Sequence, residues 1–443
     1  MRKKFLSIAL VAGMVASLMA GCSKDDNSES SSNGKVLNIY CWNEEFKSRV
    51  KDHYPDYKEV DATHGKIGDV EVVWNITPSD NNAYQNNLDT KLKKQNSAKA
   101  DDKIDIFLVE ADYALKYVDS SVTMPIKDLG ITDKDLENQY KYTKDVVTDS
   151  KGVLKGVSWQ ACPGVFFYSR EVAKNVLGTD DPAVVQTYVK DWDTFVETAS
   201  KMKEADYHMV SSVMDTYRVY SNNVTSKWVE DGKINIDKNI MKWVEDSKKM
   251  YDAGQTGTHA MWSDDWSKGF YPEGKVFGYF GPAWLINFCM AADKEGSIAN
   301  AGGFAATEGP QGFFWGGTWI CAAKGTDNAE LIKDIMLKLT TDKEIMTDIC
   351  KKDDDFVNYK SVMEEMGKDE TYKSKVLGGQ NPLSMYANGV ASIDLSNISK
   401  YDSGCNADFQ SAITDYFEGN ATLDECLETF KKAVIEKYPE LAE

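Results

Sequence analysis

The chain has 443 residues, 42% of them hydrophobic, and carries 70 acidic against 51 basic side chains for a formal net charge of -19. That length holds two or more domain-sized units with a real core, and so acidic a surface makes nucleic acid and anionic lipid poor partners. Four scattered histidines, and cysteines without a C-x-x-C pair, speak against a zinc site.

The chain opens on a basic stretch, Arg2, Lys3 and Lys4, followed by a charge-free run over residues 5–21. The run is short for a membrane span, which needs about 20 apolar residues, and it ends in the small pair Ala20-Gly21 as a signal peptide should. Met19-Ala20-Gly21-Cys22 resembles the bacterial lipobox, with Met19 where leucine is usual. The resemblance implies that residues 1–21 are a lipoprotein signal peptide, removed before Cys22, and that Cys22 is acylated. Residues 22–34 then form a tether; "SKDDNSESSSNG" has no apolar side chain and cannot offset its ordering entropy.

Residues 36–42, "VLNIYCW", read as a strand, and 43–54 as a helix stopped by Pro55. Residues 70–77, "VEVVWNIT", are a second strand. Pro78 is expected to start a helix whose Tyr84, Leu88 and Leu92 share a face. Residues 104–109, "IDIFLV", have the continuous apolar run of a strand buried on both faces. The βαβαβ order predicts an open α/β sheet. Ligands of such sheets bind beyond the carboxyl ends of the strands. Here those ends carry Trp42-Asn43-Glu44 and Glu110-Ala111-Asp112-Tyr113.

Residues 152–172 are expected to hold two strands around a Trp-Gln-x-Cys-Pro turn. Trp192, Phe195, Ala199 and Met202 share one helix face; Ile240, Trp243, Val244, Ser247 and Tyr251 share another, ahead of the C-cap candidate Gly254. Residues 274–284 run as a strand into a Gly-Pro turn that presents Trp284. Residues 313–344 give a strand, a loop with N-cap candidates Thr326 and Asp327, and a helix striped by Leu331, Ile332, Ile335, Met336 and Leu339. The last helix opens on the capping box Thr422–Glu425 and buries Leu423, Cys426, Leu427, Phe430 and Val434.

Seven cysteines follow Cys22, an odd set for an exported chain, which suggests an anaerobic habitat or free buried thiols; a Cys405–Cys426 disulfide stays open. Eleven tryptophans are more informative. Those at 192 and 243 sit mid-helix and read as core, whereas several others stand beside Gly, Asn, Asp or Pro at strand ends, where a contact surface is the better reading.

In order and spacing, "VLNIYCWNEEF", "DIFLVEAD", "GVSWQACPGVFFYSREV", "GKVFGYFGPAW", "GGTWICAAKGTDNAELIKDIMLKLTTDKE" and a C-terminal helix pair resemble the bacterial extracellular solute-binding proteins of sugar ABC transporters, related to maltose-binding protein. The resemblance implies a two-lobed α/β fold of the periplasmic-binding-protein type II kind, with a hinge and an interlobe cleft that closes on ligand. It divides the chain into an N-terminal lobe of residues 35–147 plus 316–345 and a C-terminal lobe of residues 148–315 plus 346–443. It implies a neutral oligosaccharide as ligand, ABC permease subunits as partners, a monomer anchored through lipid on Cys22 to the outer face of the cytoplasmic membrane, and neither catalysis nor cofactor.

A sugar needs flat aromatic platforms for its C–H faces and planar polar side chains for its hydroxyls. On that chemistry the site candidates are Trp42, Asn43, Glu44 and Asp112 from the first lobe, Trp159, Gln160, Asp215, Tyr217, Arg218 and Trp284 from the second, and Trp315 at the crossing, with Trp262 and Trp266 weaker. Each has a plainer reading. Trp42 suits a cap on the core, Glu44 and Glu45 favour a helix dipole, Asp112 suits an N-cap, Arg218 suits a neighbouring acid, and Trp319 suits the sheet core. Two other functions compete. "VLNIYCWNEEF" also resembles the opening of polyamine-binding proteins, whose aromatic cages hold ammonium groups by cation–π contact. A surface glycosidase needs two carboxyls across a bond, and the pairs Glu44/Glu45 and Asp264/Asp265 are its only sequence support.

Overall fold

The computed structural model describes residues 34–441. Residues 1–33, with the expected signal peptide, Cys22 and the expected tether, lie outside the described residues. Among the described residues twelve strands are formed: β1 (Val36–Cys41), β2 (Tyr57–Glu59), β3 (His64–Ile67), β4 (Val70–Ile76), β5 (Ile106–Glu110), β6 (Val165–Ser169), β7 (His208–Val210), β8 (Val229–Glu230), β9 (Lys233–Ile234), β10 (Val276–Gly281), β11 (Phe304–Thr307) and β12 (Thr318–Ala322).

The first sheet has the order β12-β5-β1-β4-β3-β2. Its centre is the expected parallel triplet: β1 runs parallel to β4 and to β5, joined by the helices Glu45–His53 and Ala83–Leu92. Tyr84, Leu88 and Leu92 bury one face of the second helix. The Tyr84 hydroxyl lies 2.7 Å from the Leu108 carbonyl and 3.1 Å from that of Tyr40, tying this helix to β5 and β1. The helix starts at Ala83 rather than at Pro78, because Asn81 and Asn82 adopt left-handed φ values of 51° and 59°, which asparagine tolerates. The hairpin β2–β3 was not legible; it is short and polar, and Gly65 lets the Tyr57 ring lie where a Cβ would stand.

Residues 152–172 yield one strand, β6, instead of two. Before it the chain crosses between layers through isolated bridges, Val157 to Ile320 and Gln160 to Val357. The second sheet, β11-β6-β10-β7, is mixed. Helices Trp192–Glu204, Met214–Ser221 and Lys238–Asp252 share the core on one of its faces, and Asp402–Phe417 and Leu423–Lys437 complete that core. The Thr422–Glu425 capping box forms as expected.

After β11 the chain returns, and β12 pairs antiparallel with β5 from Thr318 opposite Glu110 to Ala322 opposite Ile106. The following helix, Ala329–Thr341, has Asn328 at its N-cap position, not Thr326 or Asp327, and no side-chain capping hydrogen bond. Thr326 and Asn328 instead donate to the buried Asp105 carboxylate, and Asn328 also donates to the Val36 carbonyl at 2.8 Å. Both side chains therefore fasten the loop to the first sheet. The cysteines at 41, 162, 289, 321, 350, 405 and 426 are all free thiols, so Cys405 and Cys426 do not pair.

Candidate functional site

The carboxyl ends of β1 and β5 lie side by side, as a parallel pair requires. Beyond β1, Trp42 is half-buried and meets the rings of Tyr84 and Tyr113 edge-on at 5.6 and 6.3 Å. Asn43 accepts the Glu45 N–H at 3.1 Å, and the exposed Glu44 pairs with Lys47 at 3.1 Å. Glu45 turns inward, where Gln160 donates to it at 2.9 Å. Burial pushes its carboxyl up to about 7 against the pull of Arg49.

Beyond β5, the Glu110 carboxylate accepts the Asp112 N–H at 2.8 Å. Asp112 in turn receives two parallel hydrogen bonds from Arg218, at 2.6 and 2.7 Å. Arg218 stands on the helix Met214–Ser221, against the second sheet, so this fork-to-fork pair bridges the two sheets. Burial, and then the Asp112 charge, raise the Glu110 carboxyl well above the usual range, with Arg218 opposing them.

Next to Glu110 stands an aromatic wall. A Cβ on Gly316, which has φ +69°, would lie 3.6 Å from Glu110 Oε1 and 3.4 Å from Trp284 Nε1. The Trp284 indole donates to the Trp315 carbonyl at 3.0 Å, and the two rings meet edge-on at 5.1 Å. Trp262 stacks on Trp284 with centroids 6.0 Å apart and 21° between planes, and it is 55% exposed. Trp262 ranked low from sequence, yet it offers the most solvent-facing indole of this group. The signal was its place among Met, Ser and Asp rather than on a helix face.

Four candidates lie in the interior. Trp159 is fully buried and stacked on Phe46 at 5.5 Å, and Gln160 is spent on Glu45. Tyr217 packs edge-on against Trp243 and donates its hydroxyl to Asn406 at 2.5 Å. Asp215 accepts the Trp266 indole N–H at 2.6 Å and the Ser212 N–H at 2.8 Å; burial pushes its carboxyl up to about 7. None of these four presents a surface in this conformation.

On the far side of Asp112 and Arg218 opens a cavity of about 610 Å³. Asp112, Tyr113 and Arg218 belong to its wall, which also takes Asn82, Gln85 and Asn86 from the first sheet's side and Asn222 and Phe314 from the second. A third contribution comes from residues 394–404 and the helix after them, including Asn397, Asp402 and Asn406. Sequence reading passed over this segment, whose polar "SNISKYDSG" carries no periodic signal. The site candidates thus divide: Asp112 and Arg218 line the cavity, while Trp284 and Trp315 stand in the aromatic wall beside Glu110.

Comparison with known proteins agrees with this architecture. A family model described as bacterial extracellular solute-binding protein matches residues 59–377. No curated protein matches the chain. A solved extracellular solute-binding protein of family 1 superposes with a TM-score of 0.71 at 17% identity, covering 90% of this chain and 99% of that one. An ABC-transporter-associated binding protein from B. animalis subsp. lactis, solved with β-1,6-galactobiose, gives 0.69 at 19% identity over 92% and 98% of the two chains. The galacto-N-biose-/lacto-N-biose I-binding protein of Bifidobacterium longum, solved with lacto-N-biose, gives 0.68 at 12% identity over 93% and 100%. At such identities the likeness speaks for the fold: the mixed α/β, two-lobed solute-binding architecture.

Proposed function

We propose, from the premise that this chain belongs to the bacterial extracellular solute-binding proteins, that it is the capture component of an ABC importer and holds a neutral oligosaccharide between its two sheets. The lining of the cavity carries this reading. Its ionisable side chains balance, with Asp112, Asp119, Asp394 and Asp402 against Lys116, Arg218, Lys400 and Lys437. Between them stand amides at 82, 85, 86, 222, 397 and 406. An amide both donates and accepts, which matches a hydroxyl, and outside that lining, in the aromatic wall beside Glu110, the indoles of Trp262 and Trp284 offer flat faces for sugar rings.

The same balance disfavours a polyamine, which calls for a surplus of carboxylate. Nor does a glycosidase fit the acid pairs read from the sequence: Glu44 is engaged by Lys47, Glu45 is buried on Gln160, and Asp265 is engaged by Lys268. Two of the similar solved structures hold β-1,6-galactobiose and lacto-N-biose, and the reading extends that chemistry to this chain. With it come the remaining assignments: lobes of residues 35–147 plus 316–345 and 148–315 plus 346–443, delivery to permease subunits, a monomeric state, and a lipid on Cys22. Among the described residues no helix is long and apolar enough to cross a membrane.

Calorimetric titration of the mature protein with a panel of neutral oligosaccharides and with spermidine tests the proposal. Saturable binding of a sugar, recovered intact afterwards, is the expected result. Binding of spermidine alone, or release of shorter sugars, overturns it.

A further inference from the structure

Asp215 holds the key to the aromatic wall although no ligand can reach it. It is 3% exposed, and both carboxylate oxygens are engaged, one by the Trp266 indole and the other by the Ser212 backbone. Trp266 is itself buried, edge-on to Phe270 and Tyr279 at 5.0 and 5.2 Å. Its backbone is fixed at both ends: its N–H donates to Ser263 Oγ at 3.2 Å and its carbonyl accepts the Tyr279 hydroxyl at 2.9 Å.

Four residues earlier stands Trp262, in a left-handed backbone conformation with φ +73°. A bulky residue is strained there and persists only where its surroundings over-determine it. Those surroundings are the rings of Trp266 at 5.6 Å, Trp315 at 5.9 Å and Trp284 at 6.0 Å. One face of the Trp262 ring is thus backed by indoles while the residue stays more than half exposed. A strained backbone that presents a large apolar surface to solvent marks a contact site.

We propose that Asp215 is a positioning residue: by holding the Trp266 indole it fixes the strained turn that presents Trp262. That Trp262 then meets a sugar ring rests on the carbohydrate reading above; the coupling of Asp215 to Trp262 does not. A carboxylate suits the task because it accepts from two N–H donors at once. Asparagine keeps an acceptor for the indole only by turning its amide toward the Ser212 N–H, where two donors oppose each other.

The test uses the mature protein labelled with 5-fluorotryptophan, so that each indole reports separately by fluorine NMR. Trp262→Phe and Trp266→Phe assign the two resonances. Asp215→Asn is expected to shift and broaden the Trp262 and Trp266 signals while those of Trp42, Trp192 and Trp228 stay in place. Trp266→Phe keeps an aromatic side chain but replaces the indole and loses its N–H, and should move the Trp262 signal as Asp215→Asn does; the double variant should move it no further than Trp266→Phe alone. Asp215→Leu should give the larger change, and if it fails to fold the Asp215→Asn result decides. An unmoved Trp262 resonance in Asp215→Asn, or additive shifts in the double variant, overturns the proposal. A binding arm uses maltotriose and β-1,6-galactobiose: whichever binds the wild type should bind Asp215→Asn about tenfold more weakly. If neither binds, the sugar is taken from the panel that tests the carbohydrate reading, whose failure would sink that reading alone, and the resonances still decide the role of Asp215.

Discussion

Asp112 and Arg218 stand 106 residues apart in sequence and meet through two hydrogen bonds of 2.6 and 2.7 Å. Asp112 follows the last residue of β5 in the first sheet, whereas Arg218 rides on a helix of the second, so separating the sheets must break the pair. Both side chains keep some solvent contact, 34% and 19% exposed. Screening therefore limits the pair to about 1–2 kcal/mol, between a surface ion pair and a buried one. Arg218→Met should shift the protein toward more open conformations, read as a longer distance between spin labels on the two sheets. High salt should do the same to the wild type. The charge-swapped double variant should recover the shorter distance, and an Arg218→Met distance equal to that of the wild type would mean the pair closes nothing.

Trp159 separates a core role from a binding role. Its ring is fully buried against Phe46, and its indole N–H has no partner. Trp159→Phe removes that unmatched donor while keeping an aromatic ring, so it should cost little. Trp159→Ala should cost about 3–5 kcal/mol through the cavity it leaves. Urea melts measure both. Ligand affinity in Trp159→Phe should stay within about twofold of the wild type, and a tenfold loss would return Trp159 to the binding surface.

The free thiols give a third expectation. Burial raises the Cys41 thiol to about 12, with the Glu44 charge adding to it. Cys162, Cys321, Cys350 and Cys405 are buried as well. A thiolate reagent should therefore leave these positions unlabelled in the native state, with the half-buried Cys289 the one accessible thiol among the described residues, and label all of them in denaturant. Reductant should leave the melting temperature unchanged. A melting temperature that falls in reductant would show a disulfide, with Cys405 and Cys426 the first pair to examine.

What the sequence revealed follows from the kind of signal each element carries. The parallel triplet β1, β4, β5 was readable because strands buried on both faces must be continuously apolar, and their order placed Trp42 and Asp112 at one edge. The capping box at Thr422 was readable because its two partners lie three residues apart. Thr326 and Asn328 are both claimed by Asp105, more than 200 residues away, so the helix that starts at Ala329 has no side-chain cap. No local pattern records such a partner. The same limit explains the site. Arg218 and Asp112 were each proposed, but Asp215 and Tyr217, two neighbours on the same helix, point into the core while Arg218 points out. Residue type alone does not separate them.

Glu45 carries a sign that pH can read. Its carboxyl ordinarily titrates at 4.5 and is raised to about 7 in the folded protein, first by burial and then by Asp355, with Arg49 opposing. Between those two values the native state keeps a proton that the unfolded chain has released. Stability therefore falls as pH rises from about 4.5 to about 7, and the loss is complete above the folded value. Asp105 and Asp402, raised to about 6, and Asp215, raised to about 7, add slopes of the same sign. Glu45→Gln replaces the charged form by a permanently neutral one of the same shape. It should remove one group's share of the slope and make the variant more stable than the wild type at pH 8 by about 1–3 kcal/mol, with the difference vanishing near pH 4. Urea melts at several pH values between these limits measure it. A Glu45→Gln profile parallel to the wild type would mean that Glu45 stays ionised throughout, and that its attraction to Arg49 outweighs burial.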